Sequence, residues 1–143
     1  MAELFGQHRY QLDQKGRIAL PKRYLEALAP GAYVTLGQDG CLWVFPRDEF
    51  DRQSERIRSM PLSNPQARAY ARMFFSSTDQ VAPDAQGRLT ISPRLRQQVG
   101  AGREVVVIGV FDHLEIWDAA TWDRYEEQNS MAYRSGALEL GEA

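Results

Sequence analysis

Apolar positions in this chain come in short runs broken every few residues by Gly, Pro or Asp, the pattern of short strands and tight turns. Residues 5–12 have strand character with imperfect alternation, because His8, Arg9 and Tyr10 stand together. Residues 14–16 then read as a turn. Asp13 at its head can accept backbone N–H bonds, and Gly16 takes a positive φ that other residues resist. A return strand over 18–20 stops at Pro21. Residues 22–28 predict a short helix with Tyr24, Leu25 and Leu28 on one side, ended by Pro30-Gly31. Strands over 33–36 and 41–45 flank Gly37-Gln38-Asp39-Gly40, a hairpin turn. A charged helix over 47–60 places Phe50 and Ile57 on one face. After a break at 61–65, where Ser63 or Asn64 can cap, a second helix over 66–75 aligns Ala67, Tyr70, Ala71 and Phe74.

From residue 77 the same order begins again: strand 77–81, turn, strand, helix 94–99, strands 104–108 and 113–117, and helix 121–132 capped by Asp118 or Thr121. The turn Asp13-Gln14-Lys15-Gly16-Arg17 recurs as Asp84-Ala85-Gln86-Gly87-Arg88, each running into an apolar-rich segment closed by proline. Gly37 answers to Gly109, Leu42 to Leu114, Val44 to Ile116, Phe45 to Trp117, Phe50 to Trp122 and Arg52 to Arg124. The spacing is 71 residues at the turn and 72 afterwards, as if one residue were inserted between. The chain divides into a first repeat (1–52), a helical linker (53–76), a second repeat (77–124) and a helix end with an acidic tail (125–143). Four short strands make a poor independent sheet with two open edges. Two such units pairing edge to edge predict an α+β fold, one pseudo-dimeric barrel with flanking helices.

The single cysteine, Cys41, excludes an intramolecular disulfide and fits a reducing compartment. The longest apolar run, residues 105–111, is too short to cross a membrane, and no basic-then-apolar leader precedes Leu4. A cytoplasmic protein is expected. Net charge is −2, but it is unevenly spread: residues 1–111 hold fifteen Lys and Arg against eleven acids, residues 112–143 two against eight. A basic face is therefore compatible with an acidic whole. His8 and His113 have no metal-ligand partners at usual spacings, Gly100 and Gly102 lack the lysine of a phosphate loop, and Cys41 borders an apolar strand. Neither an enzyme nor a metal or other cofactor is expected.

With its two Asp-x-x-x-Arg motifs, each leading into an apolar strand and a proline, the chain closely resembles the MraZ family of the AbrB/SpoVT-type transcription-factor superfamily. That resemblance implies two AbrB-like repeats in a swapped-hairpin β-barrel and ring-shaped homo-oligomers such as an octamer or dodecamer. It further implies nucleoid-associated binding of double-stranded DNA at short promoter repeats upstream of the division and cell-wall gene cluster, commonly as a repressor. Asp13 with Arg17 and Asp84 with Arg88 match the family motif. Pro93-Arg94-Leu95-Arg96 fits its usual ending, whereas the first copy carries Leu25 where an arginine is usual. Candidate DNA contacts are Arg17, Lys15, Arg9, Lys22, Arg23 and Arg88, with Asp13, Gly16, Asp84 and Gly87 orienting the turns. Arginine can grip guanine or phosphate with two N–H groups, and lysine supplies a point charge. The competing reading is an oligomeric protein-interaction scaffold that does not read DNA.

Overall fold

A computed structural model describes residues 3–140; residues 1–2 and the end of the acidic tail, 141–143, lie outside the described residues. In chain order the elements are β1 (Gln7–Gln11), β2 (Arg17–Ala19), α1 (Lys22–Leu28), β3 (Ala32–Leu36), β4 (Leu42–Pro46), α2 (Arg47–Arg58), α3 (Pro65–Ser77), β5 (Asp79–Val81), β6 (Arg88–Thr90), α4 (Pro93–Gln98), β7 (Glu104–Gly109), β8 (Leu114–Asp118) and α5 (Ala119–Ser135). Local chemistry sets the helix starts. Asn64 accepts the backbone N–H groups of Gln66 and Ala67 ahead of Pro65, and Ser92 accepts that of Leu95 ahead of Pro93. Asp118 caps α5, with Thr121 as the donor rather than the cap, and Gly136 ends that helix in the left-handed region.

The strands are exchanged between repeats. β1 pairs antiparallel with β7 of the second repeat, and β5 pairs with β3 of the first. The resulting six-stranded sheet runs β1-β7-β8-β4-β3-β5, while β2 and β6 pair with each other as a separate ribbon. The hydrogen-bonded ladder stays open at β1 and β5. Packing closes the barrel instead: Ile18 and Leu89 of the ribbon share one buried core with Val34, Val44, Val107 and Ile116 of the sheet.

A local two-fold axis relates the halves. Ile18 faces its counterpart Leu89 in the ribbon, and Trp43 faces its counterpart Glu115 where β4 meets β8. Leu36 faces Leu42, and Gly109 faces Leu114, so Gly109 is the counterpart of Leu36 rather than of Gly37. The apparent single insertion is the sum of two changes. The connection before β7 (99–103) is longer than its equivalent (29–31), and the second hairpin loop (110–113) is shorter than the first (37–41). With that correction, Tyr10 opposite Val105 and Val81 opposite Ala32 are one contact seen twice.

Helices cover the sheet's outer face. Tyr33 and Phe45 pack under Ile57 of α2 and Phe74 of α3, with the Tyr33 and Phe50 rings stacked 4.1 Å apart. Trp117 and Val106 pack under α5 through Ala119 and Trp122. Because both repeats feed one core, Leu89→Ala is expected to cost about 2–5 kcal/mol and to weaken both halves together. Urea unfolding followed by tryptophan fluorescence and circular dichroism checks this; two separated transitions would show that the repeats fold independently.

Candidate nucleic-acid interface

Each motif turn is organised by one carboxylate. Asp13 Oδ1 accepts the backbone N–H groups of Lys15 and Arg17, both at 2.9 Å, and Oδ2 accepts Arg17 Nε at 2.6 Å. Asp84 repeats the pattern with Gln86 N, Arg88 N and Arg88 Nε, each at 2.9 Å. Behind the carboxylates the chain closes on itself, with Gly16 N donating to Asp13 O and Gly87 N to Asp84 O, both at 3.0 Å. Gly16 (φ +74°) and Gly87 (φ +76°) occupy the left-handed region, where a side chain is strained. A Cβ on Gly16 would also lie 2.8 Å from the Arg96 guanidinium and from Ile91 O. The spacing of the motif follows from this geometry. Aspartate gathers the amides, glycine reverses the chain, and arginine returns to the carboxylate.

The two turns interlock. Leu20 N donates to Gly87 O at 3.1 Å, and Ile91 N donates to Gly16 O at 2.9 Å, extending the β2–β6 ribbon into both turns. Since Ile18 and Leu89 point into the core, alternation puts Arg17, Ala19, Arg88 and Thr90 on the outer face. Arg17 faces Thr90 and Arg88 faces Ala19. The two arginines are thus diagonal neighbours, about 7–8 Å apart.

The other expected residues divide by position. Lys15 is exposed at the tip of the first turn and Lys22 at the start of α1. Neither has a carboxylate within ion-pair distance among the described residues. Gln86 stands where the first copy has Lys15, and Arg88 Nη2 donates to its side chain. Arg23 is drawn elsewhere, donating to Phe5 O at 2.9 Å and lying over the Tyr24 ring. Arg9 pairs with Asp123 on α5. The structure therefore gathers Lys15, Arg17 and Arg88 with Asp13, Gly16, Asp84 and Gly87, and leaves Arg9 and Arg23 on other contacts.

Two further arginines sit beside the first turn. Arg96 Nε donates to Ile91 O at 3.0 Å with its guanidinium against Gly16, and Arg103 borders the same cleft. Arg96 was visible in the sequence as the end of the second motif, without a role; Arg103, in an irregular connection, gave no signal. Away from the turns, burial pushes the Cys41 thiol pKa up, so it stays protonated and unreactive. Burial opposes charge on His113, but hydrogen bonds to Glu115 and Asp112 outweigh it and raise its pKa.

Backbone N–H donation from Arg17, with the Arg17 side chain and the Lys15 amide, holds the Asp13 carboxyl below the ordinary range. Arg88 and Gln86 act likewise on Asp84. A carboxylate whose pKa is depressed by folding contributes stability that is fully present above its unfolded pKa and lost as pH falls through its folded one. Asp13→Asn and Asp84→Asn should each flatten the acid side of the stability–pH curve. Urea midpoints between about pH 5 and about pH 2 measure it; an unchanged acid slope in both variants would contradict the assignment.

Residues 4–73, and again 74–138, match the MraZ protein family, described as antitoxin-like. A Saccharopolyspora erythraea protein named transcriptional regulator MraZ is 44% identical over 135 residues, 94% of each chain. Proteins of the same name from Paenarthrobacter aurescens (47% over 128 residues, 90% of each chain) and Corynebacterium diphtheriae (45% over 135 residues, 94% of each chain) are similarly close. A doubled Asp-x-x-x-Arg turn, exchanged strands and a family match that itself falls twice along the chain agree: this chain belongs to the MraZ family.

Proposed function

We propose that the chain is a sequence-specific DNA-binding transcriptional regulator that assembles into a ring and reads short direct repeats. The observation carrying this is the pair of carboxylate-pinned arginines, Arg17 and Arg88, diagonal on the outer face of one ribbon. A two-stranded ribbon fits the major groove of B-DNA, and a guanidinium there can bond guanine O6 and N7 together. The aspartates hold those guanidiniums in place before DNA arrives, which reduces the ordering cost of contact. Lys15 adds a phosphate charge at the turn tip. The names of the relatives support regulation of transcription. The family resemblance adds the division and cell-wall gene cluster as the target and repression as the usual sign.

One small ribbon supplies few contacts and binds weakly alone. Assembly onto consecutive repeats raises affinity through effective concentration. Exposed apolar side chains on the helices, Met73 (60% exposed) and Met131 (78%), with Leu62 (82%) in the α2–α3 connection, support subunit contacts. No helix among the described residues is long and apolar enough to cross a membrane, and a cytoplasmic, nucleoid-associated location belongs to the same proposal.

Arg17→Ala is expected to weaken binding to a direct-repeat duplex by about 5–150-fold, the equivalent of about 1–3 kcal/mol, without changing assembly or circular dichroism. Fluorescence anisotropy and analytical ultracentrifugation measure the two effects. Loss of assembly in this variant would favour the scaffold reading. A duplex with two repeats one helical turn apart, about 10.5 bp, should bind at least about tenfold tighter than one with a half-turn offset. Equal affinities would remove the ring from the proposal.

A further inference from the structure

The two motif turns are built alike but surrounded differently. Beside the first lies an open cleft of about 470 Å³ lined by Leu12, Asp13, Gln14, Arg96, Gly102 and Arg103, with Ala101 at its wall. Both arginines come from the second repeat. Arg96 is placed by its bond to Ile91 O and by contact with Gly16. Arg103 is placed by its own backbone, because Leu12 N donates to Arg103 O at 2.8 Å and continues the β1–β7 ladder. Asp118 Oδ1 holds the neighbouring Gly102 N–H at 3.0 Å, so the β7 end of the connection is held at two successive residues.

The local two-fold axis shows what the second turn lacks. The counterpart of Arg96 is Leu25, whose Cδ1 lies 2.8 Å from the Cβ position of Gly87. By the ladder register, Leu12 and Arg103 correspond to Pro83 and Pro30. Pro83 has no N–H, so the equivalent ladder bond cannot form. The second connection is also the longer one. The first turn thus has Lys15, Arg17, Arg96 and Arg103 around it, and the second has Gln86, Arg88, Leu25 and Pro30.

Neither Arg96 nor Arg103 has a carboxylate within ion-pair distance among the described residues. Asp13 borders the cleft, but both its oxygens are engaged by the turn. Glu104, next to Arg103, sits opposite Gln11 on the exposed edge. Two guanidiniums without a carboxylate partner, flanking an open polar cleft, suit a small anion with several acceptor oxygens. On the basis of the DNA-binding reading above, we propose that Arg96 and Arg103 form a notch for one DNA backbone phosphate. In this arrangement the first turn anchors each subunit on the duplex, and the second turn contributes only its ribbon face.

The test uses the full chain and a fluorescein-labelled direct-repeat duplex, with a scrambled duplex beside it, titrated between about 50 and 200 mM NaCl. Arg103→Gln is the main variant, because its side chain makes no intramolecular hydrogen bond among the described residues; Arg96→Gln accompanies it. Each should weaken both duplexes by a similar factor, about three- to tenfold, and make the log–log salt slope shallower by about one. Arg103→Lys should retain near-full affinity, since a point charge suffices for phosphate. If Arg103→Gln binds like the parent with the parent's slope while Arg17→Ala is weakened as expected above, the notch is wrong and the DNA reading stands. If Arg103→Gln loses only the discrimination between duplexes, it touches a base and the phosphate assignment fails. If the parent chain binds no duplex even at the lowest salt, the DNA reading fails and the notch with it.

Discussion

Neither repeat can satisfy its own backbone. The β3–β4 hairpin has an open edge that β5 fills, and the β7–β8 hairpin has one that β1 fills, each from the other half of the chain. A buried amide left without a partner costs more than a formed bond returns, so the exchange is enforced rather than optional. The turns inherit the same dependence. Gly16 O and Gly87 O are each bonded by the opposite repeat, so neither turn keeps its shape unless both repeats are folded around the shared core.

That coupling links stability to function. The Asp13–Arg17 and Asp84–Arg88 pairs are solvent-accessible, and such pairs add little to stability. Their value is positional. A side chain as long as arginine ordinarily surrenders much rotamer freedom on binding, and here one carboxylate removes part of that freedom in advance. The backbone beneath is equally constrained, because Ile18 and Leu89 bring the ribbon down onto the core. The outward face therefore has little room to adapt, and in the DNA-binding reading proposed above discrimination would fall to the guanidiniums and to the spacing of neighbouring subunits.

Much of this was legible in the residues. The Asp-x-x-Gly-Arg turns, the α1 span and the two-repeat organisation follow from local chemistry, in which each residue's role depends on neighbours within a few positions. Strand exchange was implied only by the family resemblance, because the inability of four short strands to close a sheet points no further than two units pairing edge to edge. What the sequence hid depends on distance. Arg9 reads as part of a basic cluster near the first turn, yet Asp123, on a helix 114 residues away, holds it. Arg23 likewise donates from Nη2 to Phe5 O, 18 residues back in the chain. The pairing of Gly37 with Gly109 failed for another reason: insertions of opposite sign in two loops nearly cancel, and only the hydrogen-bond register separates them.

The positions where the halves remain alike are those the fold requires: the turn aspartates and glycines, the ribbon residues that meet on the axis, and the inward side chains of β4 and β8. Elsewhere the equivalent positions have diverged. Trp43 is matched by Glu115, and the indole Nε1 of the first donates to the carboxylate of the second at 3.2 Å, a bond that a symmetric pair could not make. Leu25 is matched by Arg96, which rests against the turn of the other repeat. In a dimer of identical chains any substitution acts at both sites at once, so a residue that favours one surface and harms the other is excluded. Fusion of the two copies lifts that exclusion. One turn is then free to gather cations while its twin is trimmed to apolar neighbours, with the shared core left intact.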